Sequence, residues 1–273
     1  MSLRKILNNI LDEQELKMLP GRFDVIGDIA VISLPSELNA YKYEIAYALI
    51  AAQGGVKAVV NKTSKLSGEH RVASFELLAG RSTRTIHREF GFAYEIDLKE
   101  VFFNGRLSYE RRRITDMVKK EEQVIIPFSG VGPFAVPTAA KGAHVVALEK
   151  NAAACFLLHK NAARNGVMQN LSVIRADATD IPSMLKCQFH RAIIPTPYGM
   201  DHFLDIVSEV IIPEGMIHFY TFKKQHQIEG LIGDHEKKGF KVLKCRRCGN
   251  VAPGVSRWAF DMIKMFQNRD ENR

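Results

Sequence analysis

Apolar residues recur at helical spacing from the first turns of the chain. Leu3, Ile6, Leu7, Ile10, Leu11 and Leu16 predict an amphipathic helix over residues 3–18, which Pro20-Gly21 ends. Residues 22–34 hold two short apolar runs about Gly27-Asp28, a pair suited to the positive φ of a tight hairpin turn. Pro35-Ser36-Glu37 opens a helix that runs to about Gln53, and Gly54-Gly55 closes it. Residues 56–62 read as a strand, and residues 84–104 alternate like a hairpin with one face half buried. A helical pattern returns over residues 107–120, carrying Glu110 and the run Arg111-Arg112-Arg113. Residues 1–120 therefore read as a small α+β domain.

A different rhythm begins at residue 121. Strand-like runs at 121–128, 144–151, 171–177 and 190–194 alternate with helical segments that follow a glycine turn at 129–132, and with others at 152–165 and 200–210. Alternation of this kind predicts a mostly parallel sheet covered on both faces. A strand at 215–222 and a helix at 224–238 come next. The last two strands, from 241 and from 256, have no helix between them and read as a hairpin that closes the sheet with one antiparallel strand. Residues 121–273 are thus an α/β domain.

Composition narrows the class. Of 273 residues, 46% are hydrophobic and 25% charged, the balance of a soluble globular protein. The 38 basic and 30 acidic side chains leave a formal charge of +8. Residues 1–120 and 121–273 each carry 19 basic and 15 acidic residues, so the excess is spread over folded sequence. An even positive excess points to a polyanionic partner reached by both halves. No apolar run has the length of a membrane span, and acids interrupt the N-terminal apolar pattern as no signal peptide allows. Four cysteines are too few for a disulfide framework, which predicts an intracellular home. Cys245-x-x-Cys248 has no second pair at zinc-site spacing, so no metal is expected.

The candidate chemistry gathers at predicted strand ends. Ser129-Gly130-Val131-Gly132-Pro133-Phe134 follows the first strand of the α/β domain, where open parallel sheets bind ligands. The third glycine of a dinucleotide fingerprint is absent, since Ala135 stands in its region, and there is no phosphate-binding GxxxxGK[ST] motif. Glu149 ends the second strand, where an acid can accept from ribose hydroxyls, and Asp177 ends the third, where an acid and the next backbone N–H can meet an adenine. A GxG turn followed by acids ending strands two and three is the pattern of an S-adenosyl-L-methionine site. Pro195-Thr196-Pro197-Tyr198 follows the fourth strand. It sits where methyltransferases of planar nitrogen carry an Asn-Pro-Pro-Tyr loop, and Tyr198 could stack on a base.

Five segments in order resemble one family: residues 67–72 (SGEHRV), 87–114 (HREFGFAYEIDLKEVFFNGRLSYERRRI), 127–151, the loop at 195–199, and 250–262. The chain is similar to the tRNA guanine-37 N1-methyltransferases and their relatives in wybutosine synthesis. The resemblance implies a Rossmann-like class I methyltransferase sheet, mostly parallel with one antiparallel strand, preceded by a small α+β domain. It implies S-adenosyl-L-methionine as cofactor, tRNA as partner, and a cytoplasmic enzyme; a monomer is expected because no exposed apolar repeat suggests a partner face. About 20 residues precede the first strands, so the tRNA-elbow domain of some members is expected to be absent. It casts Glu110 as general base and Arg71 as the guanidinium near guanine O6. Phe102, Arg106 and Arg111 match positions around the methionine end of the cofactor. Phe128, Gly130, Val131, Gly132, Glu149, Lys150, Asp177, Ala178 and Pro195 match its remaining contacts, and Pro197 and Tyr198 the substrate loop.

The residues alone leave alternatives open. Glu110 would equally form an ion pair with Arg113 on its own helix, and the three arginines would equally be a solvated face. Three departures from the family stand out: Ile126 replaces an acid two residues before Phe128, Pro195 replaces Asn, and Glu149 replaces the commoner Asp. The acceptor is therefore guanine N1 or the tricyclic wyosine precursor. A sister activity, transfer of the aminocarboxypropyl group of the same cofactor, is the alternative enzyme. A non-catalytic RNA-binding relative is the alternative outside enzymes, and an NAD-linked enzyme is disfavoured by the missing glycine.

Overall fold

The computed structural model describes residues 3–64 and 73–266 of the chain. The chain divides into two units, Met1–Arg106 and Leu107–Arg273.

In the first unit the expected N-terminal helix is two short ones, α1 (Leu3–Leu7) and α2 (Glu13–Met18). Asp12 causes the break. Its Oδ1 accepts the N–H groups of Gln14 and Glu15, both at 2.8 Å, and the Glu15 carboxylate accepts the Asp12 N–H at 2.9 Å. This reciprocal cap starts a new helix and offsets the loss of a continuous one. Strands β1 (Asp24–Ile26) and β2 (Ile29–Ile32) form the hairpin expected about Gly27-Asp28. A 3-10 turn at Ser36–Tyr41 leads into α3 (Lys42–Ala52), which carries the chain over to β3 (Ala58–Lys62), parallel to β2. Strand β4 (Phe75–Ala79), not foreseen, pairs antiparallel with β3. Leu7, Leu38, Ile45 and Leu49 bury one side of this sheet against Ile32, Val59 and Leu78. β5 (Arg84–Glu89) and β6 (Phe92–Asp97) are the expected hairpin, turning at Phe90-Gly91. The SGEHRV segment, and Arg71 with it, lies outside the described residues.

The second unit opens with α4 (Ser108–Met117), which the sequence reading had assigned to the first domain. α4 packs against the helix over Ala135–Ala140, and its Arg113 reaches Asp261, far along the chain. Then follow β7 (Gln123–Ile126), α5 (Ala135–Ala140), β8 (His144–Glu149), α6 (Ala152–Arg164), β9 (Leu171–Arg175), α7 (Ile181–Met184) and β10 (Phe189–Ile194). After these come α8 (Phe203–Ser208), β11 (Ile211–Lys223), α9 (Ile228–Lys237), β12 (Phe240–Ala252) and β13 (Val255–Lys264). The seven strands lie in the order β12-β13-β11-β10-β7-β8-β9. β10 runs parallel to both β7 and β11, and β13 runs antiparallel to β11 on one side and β12 on the other, as the helix-free final hairpin predicted. The core strands are buried on both faces, which is why Val124, Ile125 and Ile126 read as a continuous apolar run. Strand order reverses between β7 and β10, so a cleft at their carboxyl ends is the expected place for a ligand.

Candidate functional site

The glycine turn leaves the carboxyl end of β7. Phe128, Gly130 and Gly132 all hold positive φ, at 55°, 54° and 92°. Gly132 is required twice over. Its backbone is left-handed, and a Cβ there would lie 2.2 Å from Leu158 Cδ1 of α6. Phe128 holds its left-handed backbone with its ring edge-on to Phe203 at 4.8 Å. Where the family carries an acid, Ile126 is fully buried, and the loop is pinned by other means. Ser129 Oγ donates to the Ile126 carbonyl at 2.5 Å, and the Ser129 N–H donates to Leu148 O at 3.0 Å. Asn161 Nδ2 donates to the Val131 carbonyl at 3.0 Å.

Glu149 stitches the turn to the end of β8. One oxygen accepts the Gly130 N–H at 2.8 Å and the other the Asn151 N–H at 2.9 Å. A carboxylate has about four acceptor positions, so two remain for hydroxyl donors. Asp177, two residues past β9, accepts the N–H and hydroxyl of Thr179 at 3.0 and 2.9 Å, and Lys150 Nζ lies 3.1 Å from its other oxygen. The Thr179 N–H above all, then its hydroxyl and the Lys150 ammonium, outweigh burial and hold this carboxyl below its ordinary range. Ala178 is buried beside it. The structure thus brings Phe128, Gly130, Val131, Gly132, Glu149, Lys150, Asp177 and Ala178 to the carboxyl ends of β7, β8 and β9. This donor set of paired acids around a glycine turn fits a nucleoside with a vicinal diol.

Glu110, on α4, is 3% exposed. Its Oε2 accepts from Arg113 Nε and Nη2 at 3.1 and 2.9 Å and from the Tyr220 hydroxyl at 3.1 Å. Among the described residues its Oε1 accepts no hydrogen bond, although Arg246 Nη1 stands 3.0 Å away as a charge partner. The Tyr220 ring packs 5.8 Å from Phe134, the last residue of the glycine turn, so Tyr220 joins that turn to Glu110. The expected ion pair with Arg113 is therefore present. Burial and the Glu110 charge together push the Tyr220 hydroxyl well above its ordinary value, so it remains a donor.

Behind Arg113 runs a buried polar chain. Arg113 donates to both oxygens of Asp261, at 2.5 and 3.1 Å. Asp261 Oδ1 lies 2.7 Å from His218 Nδ1, and His218 Nε2 lies 2.6 Å from Arg191 Nη1. A guanidinium only donates, so Nε2 accepts and the proton sits on Nδ1, facing Asp261. His218 is neutral: burial lowers its pKa more than the Asp261 bond raises it, with the Arg191 and Arg113 charges adding to the lowering. Burial pushes the Asp261 carboxyl up, but hydrogen bonds from His218 and Arg113 bring it down to about 2. Arg191 is itself held by Glu122 at 3.0 Å and by the Met117 carbonyl at 3.1 Å. Sequence reasoning missed Tyr220, His218, Asp261, Arg191 and Arg246. The available signal was a polar residue inside each of two apolar strands, which the register makes cross-strand partners: His218 lies opposite Asp261.

Of the three consecutive arginines, Arg112 is solvated and stands 3.9 Å from Asp116, Arg111 is buried, and Arg113 is half-buried. The loop after β10 places Pro195 and Pro197 half-buried, with Tyr198 56% exposed. The Tyr198 ring lies 5.3 Å from Phe222, and Arg257 stands 4.8 Å over the other ring of that pair, Phe222. In the first unit, Phe102 is 45% exposed and Arg106 makes a bidentate pair with Asp24, at 2.8 and 2.9 Å. Cys245 and Cys248 are free thiols that burial pushes up to about 11 and about 12. Among the described residues no group of three or more His, Cys, Asp or Glu side chains could hold a metal ion.

A model of the TRM5/TYW2 methyltransferase domain matches residues 85–243, and a model of the TYW2 N-terminal domain matches residues 3–83. The tRNA (guanine(37)-N(1))-methyltransferase Trm5b of Pyrococcus abyssi is 36% identical over 81% of this chain, which spans 65% of that relative's length. The tRNA(Phe) (4-demethylwyosine(37)-C(7)) aminocarboxypropyltransferase of Pyrococcus horikoshii is also 36% identical, over 97% of both chains. Among solved structures, Trm5b from P. abyssi superposes with a TM-score of 0.84 at 34% identity, covering 96% of this chain and 81% of that one. TYW2 of P. horikoshii in complex with MeSAdo superposes with a TM-score of 0.78 at 26% identity, covering 96% and 97%.

Proposed function

Since the chain belongs to the TRM5/TYW2 methyltransferase family, we propose that it transfers the methyl group of S-adenosyl-L-methionine to the purine at position 37 of tRNA, with N1 of guanine or the tricyclic wyosine precursor as acceptor. One observation carries the chemistry: Glu110 is buried beside the glycine turn with one carboxylate oxygen that accepts no hydrogen bond among the described residues. Guanine N1 carries a proton and is a poor nucleophile until it loses it. Oε1 of Glu110 takes that proton as the N–C bond forms, and an arginine, Arg71 in this reading, stabilises the charge gathering on O6. The cofactor, when bound, supplies an electrophilic methyl on a sulfonium, and the C–S bond electrons leave with sulfur as a neutral thioether.

Glu149 would hold the ribose hydroxyls, and Asp177 with the Ala178 N–H the adenine edge. The Gly130-Val131-Gly132 turn and Phe128 would line the nucleoside, with Lys150 and Pro195 beside it, and Phe102, Arg106 and Arg111 would serve the methionine end. Pro197 and Tyr198 would grip the flipped base, which must leave its stack to be reached. The two domains act as the α+β unit and the catalytic unit of a monomeric, cytoplasmic enzyme. The Trm5b comparison supports methyl transfer through its higher structural similarity. A second reading, aminocarboxypropyl transfer, draws on the N-terminal domain match and the end-to-end alignment with the P. horikoshii enzyme.

Replacing Glu110 by Gln tests the base directly. Single-turnover transfer should fall by about a hundred- to ten-thousandfold, the range for losing a general base, with cofactor affinity unchanged in a binding titration. Equal loss of rate and cofactor affinity would remove Glu110 from the chemistry.

A further inference from the structure

We propose that Asp261 and His218 are positioning residues. They hold Arg113 in the pose that saturates Oε2 of Glu110 and so reserve Oε1 as the atom that takes the substrate proton. This inference rests on Glu110 being the base.

The two oxygens of Glu110 are treated differently by their surroundings. Three donors converge on Oε2, two from one guanidinium and one from Tyr220. Among the described residues none reaches Oε1 in hydrogen-bonding geometry. A carboxylate anchored through one oxygen is oriented, while its other oxygen keeps lone pairs for a proton. The orientation comes from Arg113, which has to serve two carboxylates at once. Nε and Nη2 face Glu110, and Nη1 and Nη2 face Asp261. A planar guanidinium can do this because its five N–H groups radiate in fixed directions; a lysine ammonium cannot.

Asp261 is in turn fixed by the Nδ1–H of His218, whose tautomer is set by Arg191 on its far side. Arg191 ends the chain on Glu122 and on the last carbonyl of α4, that of Met117. The path therefore returns to the helix that carries Glu110. It ties α4 to the middle of β11 and β13, where a purely apolar contact would leave the carboxylate free to rotate. Asp261 and His218 are buried, and their hydrogen bonds run to each other, to Arg113 and to Arg191, so their role runs through Arg113. Arg246 is different. It lies partly exposed, over the ring of Tyr109 at 4.7 Å, and acts as the counter-ion that an incoming base displaces from Oε1.

The test compares single-turnover methyl transfer to tRNA for Asp261→Asn, Arg113→Lys, Glu110→Gln and the double variant Asp261→Asn with Glu110→Gln. Melting temperature and cofactor affinity are measured on each. The proposal expects Asp261→Asn and Arg113→Lys to lose about 10- to 100-fold in rate at saturating tRNA, as a small misplacement of a reacting group does. KM for tRNA and cofactor affinity should stay near wild type. In the double variant the loss should equal that of Glu110→Gln alone, because without the base there is nothing left to position. Wild-type rates in folded Arg113→Lys or Asp261→Asn would overturn the proposal while leaving Glu110 as base, as would losses that simply multiply in the double variant. If Asp261→Asn does not fold, Arg113→Lys, which keeps the charge, carries the test. Full activity of Glu110→Gln would overturn the underlying reading itself.

Discussion

Glu110 shows how one side chain can satisfy two expectations. An i,i+3 pair with Arg113 is what helix geometry alone predicts, and Oε2 makes it. The other oxygen accepts no hydrogen bond among the described residues, and that asymmetry is visible only in three dimensions. Arg111-Arg112-Arg113 divides similarly: Arg111 is buried, Arg112 is solvated, and Arg113 is half-buried between the carboxylates of Glu110 and Asp261. Tyr198 is the exposed end of a cluster, its ring tilted against Phe222, which Arg257 covers, an arrangement that keeps a ring available at little entropic cost. Tyr198→Ala should weaken tRNA binding by about 1–3 kcal/mol, the range for a lost stacking contact, and leave cofactor affinity alone. A titration with unmodified tRNA measures this, and unchanged binding would place the ring outside the substrate path.

Among elements, the glycine turn depends most on a single residue. Gly132 combines a φ of 92° with a close approach to Leu158 of α6. Gly132→Ala should cost about 1–3 kcal/mol from the backbone alone, before any steric clash. It should also lower cofactor affinity, since the turn and α6 must part. A denaturation midpoint equal to wild type would contradict this. The strands of the second unit were legible because parallel, doubly covered strands are continuous apolar runs such as 124–126. The glycine turn and the acids at 149 and 177 were legible because they punctuate those runs. Other features were hidden by non-local causes. Within the second unit α4 meets β13 through Arg113 and Asp261, 148 residues apart, a contact which no window along the chain can reveal. His218 and Asp261 looked like polar interruptions of two strands until the register set them face to face. The break at Asp12 was a local signal: Asp followed three residues later by Glu is a capping box, overridden in the sequence reading by the apolar period around it.

For the whole molecule, buried histidines set a pH window. His218 and His235 both have pKa values lowered from 6.5, burial being the largest cause in each. His235 packs among Phe219, Phe240 and Phe260, and both its ring nitrogens lack hydrogen-bond partners among the described residues. The unfolded chain takes up these protons near pH 6.5 and the folded chain resists them. The unfolded state therefore binds more protons below that pH, and stability is lost as pH falls. Asp261 adds a second loss between 3.8 and about 2. The melting temperature should fall from pH 7.5 toward 5, and less steeply in His218→Gln; a rise on acidification would contradict the assignment.

Charge belongs to the same scale. The +8 excess is spread over both halves of the chain, which suits an enzyme whose substrate is a polyanion rather than one with a basic tail. The central claim is that a methyl group, taken from S-adenosyl-L-methionine, reaches position 37 of tRNA. The most direct measurement incubates the protein with tRNA lacking modification at that position and cofactor labelled separately on the methyl and on the carboxyl carbon. Methyl label alone, recovered in the position-37 nucleoside, is the predicted result. Carboxyl label in that nucleoside would contradict methyl transfer and establish the aminocarboxypropyl reaction in its place.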